Sequence, residues 1–382
     1  MVDRTTVLVL GTGELSSELV LSFQRLGTRA TAVPVPTGAA ALRTLIDRLT
    51  PQLVVVQSPA SDLDADVVEA LAGLDEVAVF PTPTALRLAS DREALRTLAA
   101  HELGLPTAPF WFAGSVDELT AVAEHAGLPL AITPLTPSVT GTGAGYSVLS
   151  RPEDVDVAWH RAVAAGSDRV MAETPVDVAA EFTMLTVRTQ GPAGPVVQFC
   201  EPIGHRRDNS RAGGGPLELW QPQLLSEPAL DAARSIAARI VNKLGGTGLF
   251  TVDLLLGTDP ESGAEEVYYA TVHPMLTGAG FVTTRSQRLS QFDLHARAIL
   301  GLPVDTIMIS PAAGEVSRPS SDKAALARAL PDALAIAESD VRLSGEVCVA
   351  LATAPDVVRA RDRAHQVGAV LGQAAAINQT GK

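Results

Sequence analysis

The chain has 382 residues with a formal net charge of −14 at pH 7, and 46% of its residues are hydrophobic. This length predicts two or three domains, and the acidic balance argues against nucleic acid and anionic membrane surfaces as partners. The two cysteines, Cys200 and Cys348, lack any metal-ligand spacing and favour reduced thiols in the cytoplasm. No apolar run reaches the roughly 18 residues of a membrane span, and the N-terminal run is too short for a signal peptide.

Strand and helix patterns alternate along the N-terminal part of the chain. In chain order, the predicted elements are a strand at 6–10, a helix ending at Gly27, a strand at 30–33, a helix at about 38–49, and strands at 53–56 and 77–80. This alternation predicts a doubly wound parallel sheet. A helix capped by Asp91 follows, and we assign residues 1–112 to this N-terminal α/β domain.

Two further units follow, a small one over residues 113–188 and a larger α+β one over 189–382, with a C-terminal subregion from about residue 316. The small unit contains a strand that leads into a glycine loop with Gly141, Gly143 and Gly145. Backbone amides of such loops can cradle phosphate oxygens. A triphosphate site normally adds lysines, and none of the three lysines of this chain is near the loop.

Several polar residues stand out, each with a functional and a purely structural interpretation. The run GTGELS at 11–16 begins like a dinucleotide fingerprint, but Ser16 replaces its third glycine, so a tight strand-to-helix turn is favoured. The turn leaves Glu14 at a helix N-terminus. Glu173 and Glu181 lie at strand ends and could accept hydrogen bonds from ribose hydroxyls. The sequence pattern by itself favours the simpler interpretation, in which both are charges exposed to solvent.

Asp253 lies inside the apolar strand GLFTVDLLL, where a carboxylate must be paired, metal-bound or turned outward. In the run EVYYATVHP, strand alternation predicts that Tyr269, Thr271 and His273 face one way. An Asp253–His273 metal site and an outward-facing Asp253 both stay open.

The polar segment at 201–223 offers an anion site or a solvated surface loop. Its cationic candidates are His205, Arg206, Arg207 and Arg211.

The strings PIGHR, WQPQ, LGGTGLFTVDLLL and SQFDLHARAILGLP strongly resemble formate-dependent phosphoribosylglycinamide formyltransferase, the transformylase 2 of purine synthesis. The segments at 11–27 and 89–107 resemble the same family, so the resemblance covers nearly the whole chain in order. It implies an ATP-grasp fold, in which two α+β units close on ATP behind an N-terminal α/β domain. It also implies a homodimer that activates formate with Mg-ATP as formyl phosphate and passes the formyl group to glycinamide ribonucleotide.

Some family positions are retained. The resemblance implies that Arg92 contacts phosphate, Glu173 lies beside adenine, and Glu181 lies at the ribose. Gly141 and Gly143 belong to the nucleotide loop. The residues that it places on the substrate side are Glu14, Leu15, His205 and Arg206.

Other family positions are lost. Thr133 and Thr142 stand where the family has lysines, Thr271 where it has a second metal carboxylate, and Gly278 where it has a substrate-binding aspartate. Asp253 occupies the first metal position. The C-terminal lysine and paired arginines of the family fall in a segment that is shortened here, RLSGEVCVALAT at 342–353.

We therefore predict a degenerate transformylase 2-like protein that binds a small ligand, a second copy or an active paralogue, and holds adenine nucleotides weakly. Whether magnesium binds stays open. The alternative is an active enzyme that forms an acyl phosphate from another carboxylate and transfers it to a different amine.

Overall fold

The computed structural model describes residues 5–58, 63–136, 145–207, 215–258, 263–319, 322–344 and 347–376, with side chains through residue 372. Three sheets organise this part of the chain. Their order confirms the ATP-grasp prediction, with a parallel N-terminal sheet followed by two antiparallel sheets.

The N-terminal sheet has four parallel strands in the order β2-β1-β3-β4. Its strands are β1 (Thr6–Leu10), β2 (Arg29–Val33), β3 (Leu53–Val56) and β4 (Ala78–Phe80). The connecting helices are α1 (Gly13–Arg25), α2 (Ala39–Leu49) and α3 (Ala65–Ala72). Alternate residues of β1 pack against α1 on one face and against α2 and α3 on the other, which explains why the strand is apolar throughout.

The turn from β1 to α1 requires glycine at position 11. Gly11 has a φ of +148°, and a Cβ there would lie 2.0 Å from the carbonyl oxygen of Gln57. This close approach brings the start of α1 against the end of β3. The Gln57 side chain, in turn, bonds the backbone of Leu276 through both its oxygen and its nitrogen. The turn therefore sits directly beside the loop that follows the large sheet's outer strand.

Two helices lead from this domain to a four-stranded antiparallel sheet in the order β5-β8-β6-β7. The helices are α4 (Pro83–Ser90) and α5 (Arg92–Thr97), and α5 continues as a π-helical turn over Leu98–Glu102. Asp91 caps α5 as predicted, because its carboxylate accepts the Ala94 amide at 2.9 Å. The strands are β5 (Phe110–Ala113), β6 (Leu130–Pro134), β7 (Ser147–Leu149) and β8 (Val170–Glu173), and the packing helices are α6 (Val116–Ala126) and α7 (Val155–Ala164).

The large sheet has nine strands, all paired antiparallel. The order is β14-β13-β9-β11-β12-β15-β17-β16, and β10 pairs with β9. Its strands are β9 (Val178–Gly191), β10 (Gly194–Phe199), β11 (Ile203–Arg207), β12 (Leu217–Gln221), β13 (Gly248–Thr258), β14 (Glu265–His273), β15 (Ala312–Ser317), β16 (Ser339–Leu343) and β17 (Cys348–Thr353). The helices of this region are α8 (Glu227–Leu244), α9 (Thr283–Ser286), α10 (Gln291–Ile299), α11 (Lys323–Leu334) and α12 (Val357–Ala376).

The large sheet is covered on both faces. Helix α8 packs on one face of β9 and β13 against Phe250, Val252 and Leu254. The other face joins the N-terminal domain through α1 and α10, where the Ser22 hydroxyl donates to Asp293 at 2.9 Å. Residue 188, the predicted end of the small unit, falls within β9, and the predicted division into three domains stays a prediction.

The predicted alternation along β14 is wrong at Tyr269. The pairing of β13 with β14 shifts between Asp253 and Leu254, so that Thr271 lies opposite Asp253 while Tyr269 lies opposite Leu254. This bulge inserts one extra residue and reverses the side-chain parity. Tyr269 is consequently buried against α8, on the face opposite to Thr271 and His273.

His295, on α10, should make the stability of the fold depend on pH. Its buried Nδ1 accepts the Leu249 amide at 2.8 Å, and burial lowers the pKa of the ring to about 4. The ordinary value is about 6.5. Between these pH values the unfolded chain binds a proton that the folded chain does not, so the free energy of unfolding should fall by about 3 kcal/mol as pH falls through that range.

Urea unfolding at pH 7 and pH 4.5 measures this effect. In His295→Gln the amide oxygen can still accept the Leu249 N–H, but no titratable ring is present. The variant should lose less stability than the parent protein on acidification. Equal losses would contradict the assignment to His295.

Within the described ranges, no helix combines the length and the apolar character needed to cross a membrane.

Candidate functional site

The site is built on the face of β9 and β13 that points away from α8. The register places Asp253 opposite Thr183 on β9 and opposite Thr271 on β14, so these three side chains form one row across the sheet. The Thr183 hydroxyl donates to Asp253 at 2.6 Å. The hydroxyl of Thr271 thus stands where a second carboxylate would be needed to make an acidic pair with Asp253.

Asp253 is held in its ionised form by two neighbours. Burial opposes ionisation, but the His273 ring, with 3.6 Å between its Nε2 and the Asp253 Oδ2, and the Thr183 hydroxyl outweigh it. The pKa of Asp253 therefore lies below its ordinary value. The structure brings Asp253 together with His273, as the metal-site interpretation of the sequence required. It places both side chains on the face of the sheet that points away from α8.

The next row of the same face contains Glu181 and His205. They lie opposite each other on β9 and β11, with 3.6 Å between His205 Nδ1 and Glu181 Oε2. This face therefore carries two carboxylate–histidine pairs. Asp253 and His273 lie in the row of Thr183, and Glu181 and His205 lie in the row two residues earlier on β9.

The face of the small sheet that points away from its own core forms the second part of the candidate site and is called its site face. In the register of β6 and β8, Ala131 lies opposite Glu173 and Thr133 lies opposite Met171, while Leu130 and Ile132 point into the core of the small subdomain. On β6 and β8 the site face thus carries a methyl group, a threonine, a methionine and one carboxylate. Thr133 brings no positive charge to it.

Glu173 is paired inside the protein. Its Oε1 accepts a hydrogen bond from Arg96 of α5, and the two side chains are only 18% and 8% exposed. Burial raises the pKa of the Glu173 carboxyl, and Arg96 opposes that rise. The ion pair was not part of the sequence interpretation, which placed Glu173 beside a nucleoside.

Arg92, at the start of α5, donates to the Pro134 carbonyl at 3.0 Å, where β6 ends and the glycine loop begins. Burial lowers the pKa of its guanidinium. Gly141 and Gly143 lie outside the described residues. Arg92 is therefore placed at the loop that the resemblance assigns to phosphate.

Tyr146 is a site residue that the sequence analysis missed. It immediately precedes β7, at the edge of the small sheet, and is 47% exposed. Burial raises the pKa of its hydroxyl, and the charges of Glu173 and Glu181 raise it further. Tyr146 therefore lies within electrostatic reach of one carboxylate on each of the two sheets. The available signal was an aromatic residue directly after a glycine loop.

The start of α1 carries the substrate-side candidates. Leu15 packs against the core between α1 and the large sheet. Burial and the charge of Glu18 raise the pKa of Glu14, partly offset by Arg342. Arg342 itself donates to Glu18 at 3.0 Å and to Asp340 at 2.6 Å. This arginine of the shortened C-terminal segment is therefore engaged by carboxylates of the protein.

Arg206 lies away from the site. It follows His205 on β11, so its side chain points to the opposite face of the sheet, where it donates to Glu218 at 2.8 Å. Arg207 donates to the Gly215 carbonyl at 3.1 Å, and Arg211 lies outside the described residues. The structure thus separates Arg206 from His205, Glu181 and Asp253.

The fit to magnesium is poor. Mg²⁺ prefers an octahedral shell of oxygen atoms supplied by one or two carboxylates, water and phosphate. Asp253 offers one carboxylate, already bonded by Thr183 and adjacent to an imidazole, and Thr271 offers none. In the part of the chain that the structure describes, no three His, Cys, Asp or Glu side chains form a metal-binding group. The residues present do not provide the two-carboxylate site that the resemblance implies.

Comparison with known proteins identifies the relatives of this chain. A family model described as the ATP-grasp domain matches residues 98–292. The formate-dependent phosphoribosylglycinamide formyltransferase of Corynebacterium efficiens is 39% identical over 95% of this chain and 94% of its own length. The protein of the same name from Rhodococcus jostii is 40% identical with the same coverage.

Solved structures give the same picture. Glycinamide-RNase-transformylase T from Mycobacterium tuberculosis superposes with a TM-score of 0.79 and 44% identity, covering 96% of this chain and 99% of that one. An N5-carboxyaminoimidazole synthase from Aspergillus clavatus, in complex with ADP and 5-aminoimidazole ribonucleotide, superposes with a TM-score of 0.80. At 21% identity, over 97% of this chain and 100% of that one, it shows the shared fold.

Proposed function

Because the chain belongs to the formate-dependent phosphoribosylglycinamide formyltransferase family of ATP-grasp proteins, we propose that it binds an adenine nucleoside or nucleotide without carrying out the family's formylation. Neighbours of the same fold are described in complex with ADP or ATP, and nucleotide binding is the property that the proposal extends to this chain. The observation that carries the loss of activity is the row Thr183–Asp253–Thr271.

The residues around Glu173 and Glu181, the nucleoside half of the candidate site, support binding. Glu173 and Glu181 supply hydrogen-bond acceptors, and Tyr146 adds an exposed aromatic ring whose hydroxyl is influenced by the charge of both carboxylates. Ala131 and Met171 give the small sheet an apolar surface there. Such a combination of apolar walls with a few polar groups is typical of small-ligand sites.

The residues at the phosphate half of the candidate site argue against phosphoryl transfer. Thr133 replaces a lysine, and each charge-assisted contact contributes about 1.5–3 kcal/mol. The loss of two lysine contacts would cost about 3–6 kcal/mol, or roughly 10²–10⁴ in affinity. The missing metal carboxylate acts on the same transition state, where charge must be neutralised by metal ions and cations. Arg92, which donates to the Pro134 carbonyl next to Thr133, is the cation that we assign to this end.

The biological role that we propose is binding, of a small molecule, of a second copy, or of an active paralogue, in the cytoplasm. Arg342 supports this role, because its guanidinium donates to Glu18 and Asp340 instead of standing free for a phosphate. It lies in the segment where the resemblance places the groups that hold the substrate phosphate.

The direct test is an assay of ADP release with Mg-ATP, formate and glycinamide ribonucleotide, with an active family member as positive control. We expect no formate-dependent ADP and no formylated ribonucleotide. Formylated product at a rate comparable with that of the control enzyme would refute the proposal.

A second candidate function, acyl transfer from another carboxylate to a different amine, is favoured by the Asp253–His273 pair, which puts a carboxylate and an imidazole at the phosphate end. Its test is ADP release over a panel of carboxylic acids, with hydroxylamine as the general amine acceptor. Carboxylate-dependent ADP release that disappears in His273→Ala would establish it, and a silent panel would reject it.

A further inference from the structure

Arg96 connects the small sheet with the large sheet beside Glu173. Its guanidinium donates to the Glu173 carboxylate through Nη2 and to the backbone carbonyl of Tyr269 through Nη1, at 3.1 Å in the second case. The guanidinium carbon lies 5.6 Å from the centre of the Phe110 ring. One buried side chain of α5 thus contacts β8 and β5 of the small sheet and β14 of the large sheet.

These contacts bear on the orientation of Glu173. Oε1 is occupied by Arg96, and among the described residues no hydrogen bond to Oε2 is found. The Tyr269 carbonyl fixes the other side of the guanidinium, so the carboxylate cannot turn without breaking a buried pair. Arg96 therefore presents Glu173 as a carboxylate with one oxygen engaged inside the protein.

We propose that Arg96 is a positioning residue that holds Glu173 as an oriented acceptor and thereby makes the pocket select a base with an exocyclic amino group over one with a carbonyl group at the same position. This inference rests on the proposed function. An ionised carboxylate accepts hydrogen bonds and donates none. A 6-aminopurine can donate an N–H to it, whereas a 6-oxopurine would turn carbonyl lone pairs toward it and leave both groups unpaired.

Loss of Arg96 should change selectivity as well as affinity. Without the guanidinium, burial makes the Glu173 carboxyl easier to protonate. A neutral carboxylic acid has one O–H donor and can bond a carbonyl. The preference for the amino base should then disappear even where binding persists, an effect that a purely structural role of Arg96 would not produce.

The experiment compares adenosine with inosine by calorimetry on the full-length chain. We expect the parent protein to prefer adenosine by about tenfold or more. In Arg96→Met the two affinities should come within about twofold of each other, and Arg96→Lys, which keeps the charge, should restore most of the preference. Glu173→Gln, whose amide both donates and accepts, should also lose it.

Two controls make the outcome decisive. Arg169→Gln removes another ion pair that joins the small subdomain to α5, the exposed bidentate contact with Glu93 at 2.9 Å, and should leave the adenosine-to-inosine ratio unchanged. If Arg96→Met does not fold, Arg96→Gln, which keeps an N–H donor for the Tyr269 carbonyl but has no charge, takes its place and should also bring the two affinities together.

An unchanged ratio in folded Arg96→Met, or in the Arg96→Gln variant that replaces it, would overturn the inference, and so would an equal loss of selectivity in Arg169→Gln. A parent protein that binds both nucleosides equally would overturn the inference while leaving the proposed function standing. A parent protein that binds no adenine nucleoside or nucleotide would overturn both.

Discussion

Replacing Thr133 with lysine and Thr271 with glutamate together is expected to raise the affinity for Mg-ATP by about 10²–10⁴. Thr133 lies on the site face of the small sheet, opposite Met171, and Thr271 lies opposite Asp253 on the large sheet. The lysine would restore one cation at the phosphates, and the glutamate would complete a pair of carboxylates for magnesium. Each change adds a charge-assisted contact of about 1.5–3 kcal/mol.

Calorimetry with and without magnesium measures the gain. Gln190→Lys is the control for the added lysine. It introduces the same positive charge as Thr133→Lys, but at an exposed position near the C-terminal end of β9. That variant should leave the affinity within about twofold of the parent value, since exposed charges beyond the screening distance of about 10 Å interact weakly. No gain in the double variant would mean that some other element blocks the phosphate end.

The same double variant should show a second signature in its stability. Two carboxylates directly opposite each other on neighbouring strands repel, which costs up to about 1 kcal/mol. We therefore expect a lower Tm without metal and its recovery on addition of Mg²⁺. A Tm that does not respond to Mg²⁺ would show that the carboxylates do not come together on a metal.

Glu173→Ala is expected to lower the free energy of unfolding by about 3–5 kcal/mol, because it leaves the buried Arg96 guanidinium without its counter-charge. Arg96 is 8% exposed and would keep only the Tyr269 carbonyl and the Phe110 ring as described partners, and neither carries a negative charge. Urea unfolding measures the loss. Most surface substitutions change stability by no more than about 0.5 kcal/mol, so a loss of this size is diagnostic.

Glu93→Ala is the matched control. It also removes a carboxylate from an arginine pair between α5 and the small subdomain, but both partners of that pair are substantially exposed. Exposed pairs contribute about 0–1 kcal/mol. A loss in Glu173→Ala no larger than the loss in Glu93→Ala would show that the Arg96–Glu173 pair is not a buried ion pair in solution.

Local patterns predicted the elements of this fold well. The apolar runs of β1 and β3 and the capping residue Asp91 carry their information within a few neighbouring residues, and the structure has them as expected. The resemblance supplied the ATP-grasp architecture, which the comparisons confirm.

The arrangement of the site was harder to predict, because it depends on pairings between distant residues. Arg96 meets Glu173 across 77 positions, and Arg342 meets Glu18 across 324. No local periodicity encodes such contacts. Likewise, strand alternation failed at Tyr269 because a bulge with no sequence signature of its own reversed the parity of β14.

The resemblance alone predicts a lysine at position 133 and a carboxylate at position 271, where this sequence has threonine. The structure adds what the remaining charges do. Asp253 is paired with His273 and bonded by Thr183, Arg342 is held by Glu18 and Asp340, and Arg206 lies on the far face. The charged groups named here are therefore largely engaged within the protein.

The most direct test of this account is a calorimetric comparison of adenosine, AMP, ADP and ATP, each with and without Mg²⁺. If Glu173 and Glu181 still bind a nucleoside while Thr133 and Thr271 provide no phosphate or metal contacts, adenosine should bind. Each added phosphate should then fail to increase the affinity, and Mg²⁺ should have no effect. Affinity that rises with phosphate number and depends on Mg²⁺ would contradict the account, because it would require a phosphate grip and a metal site that Thr133 and Thr271 do not provide.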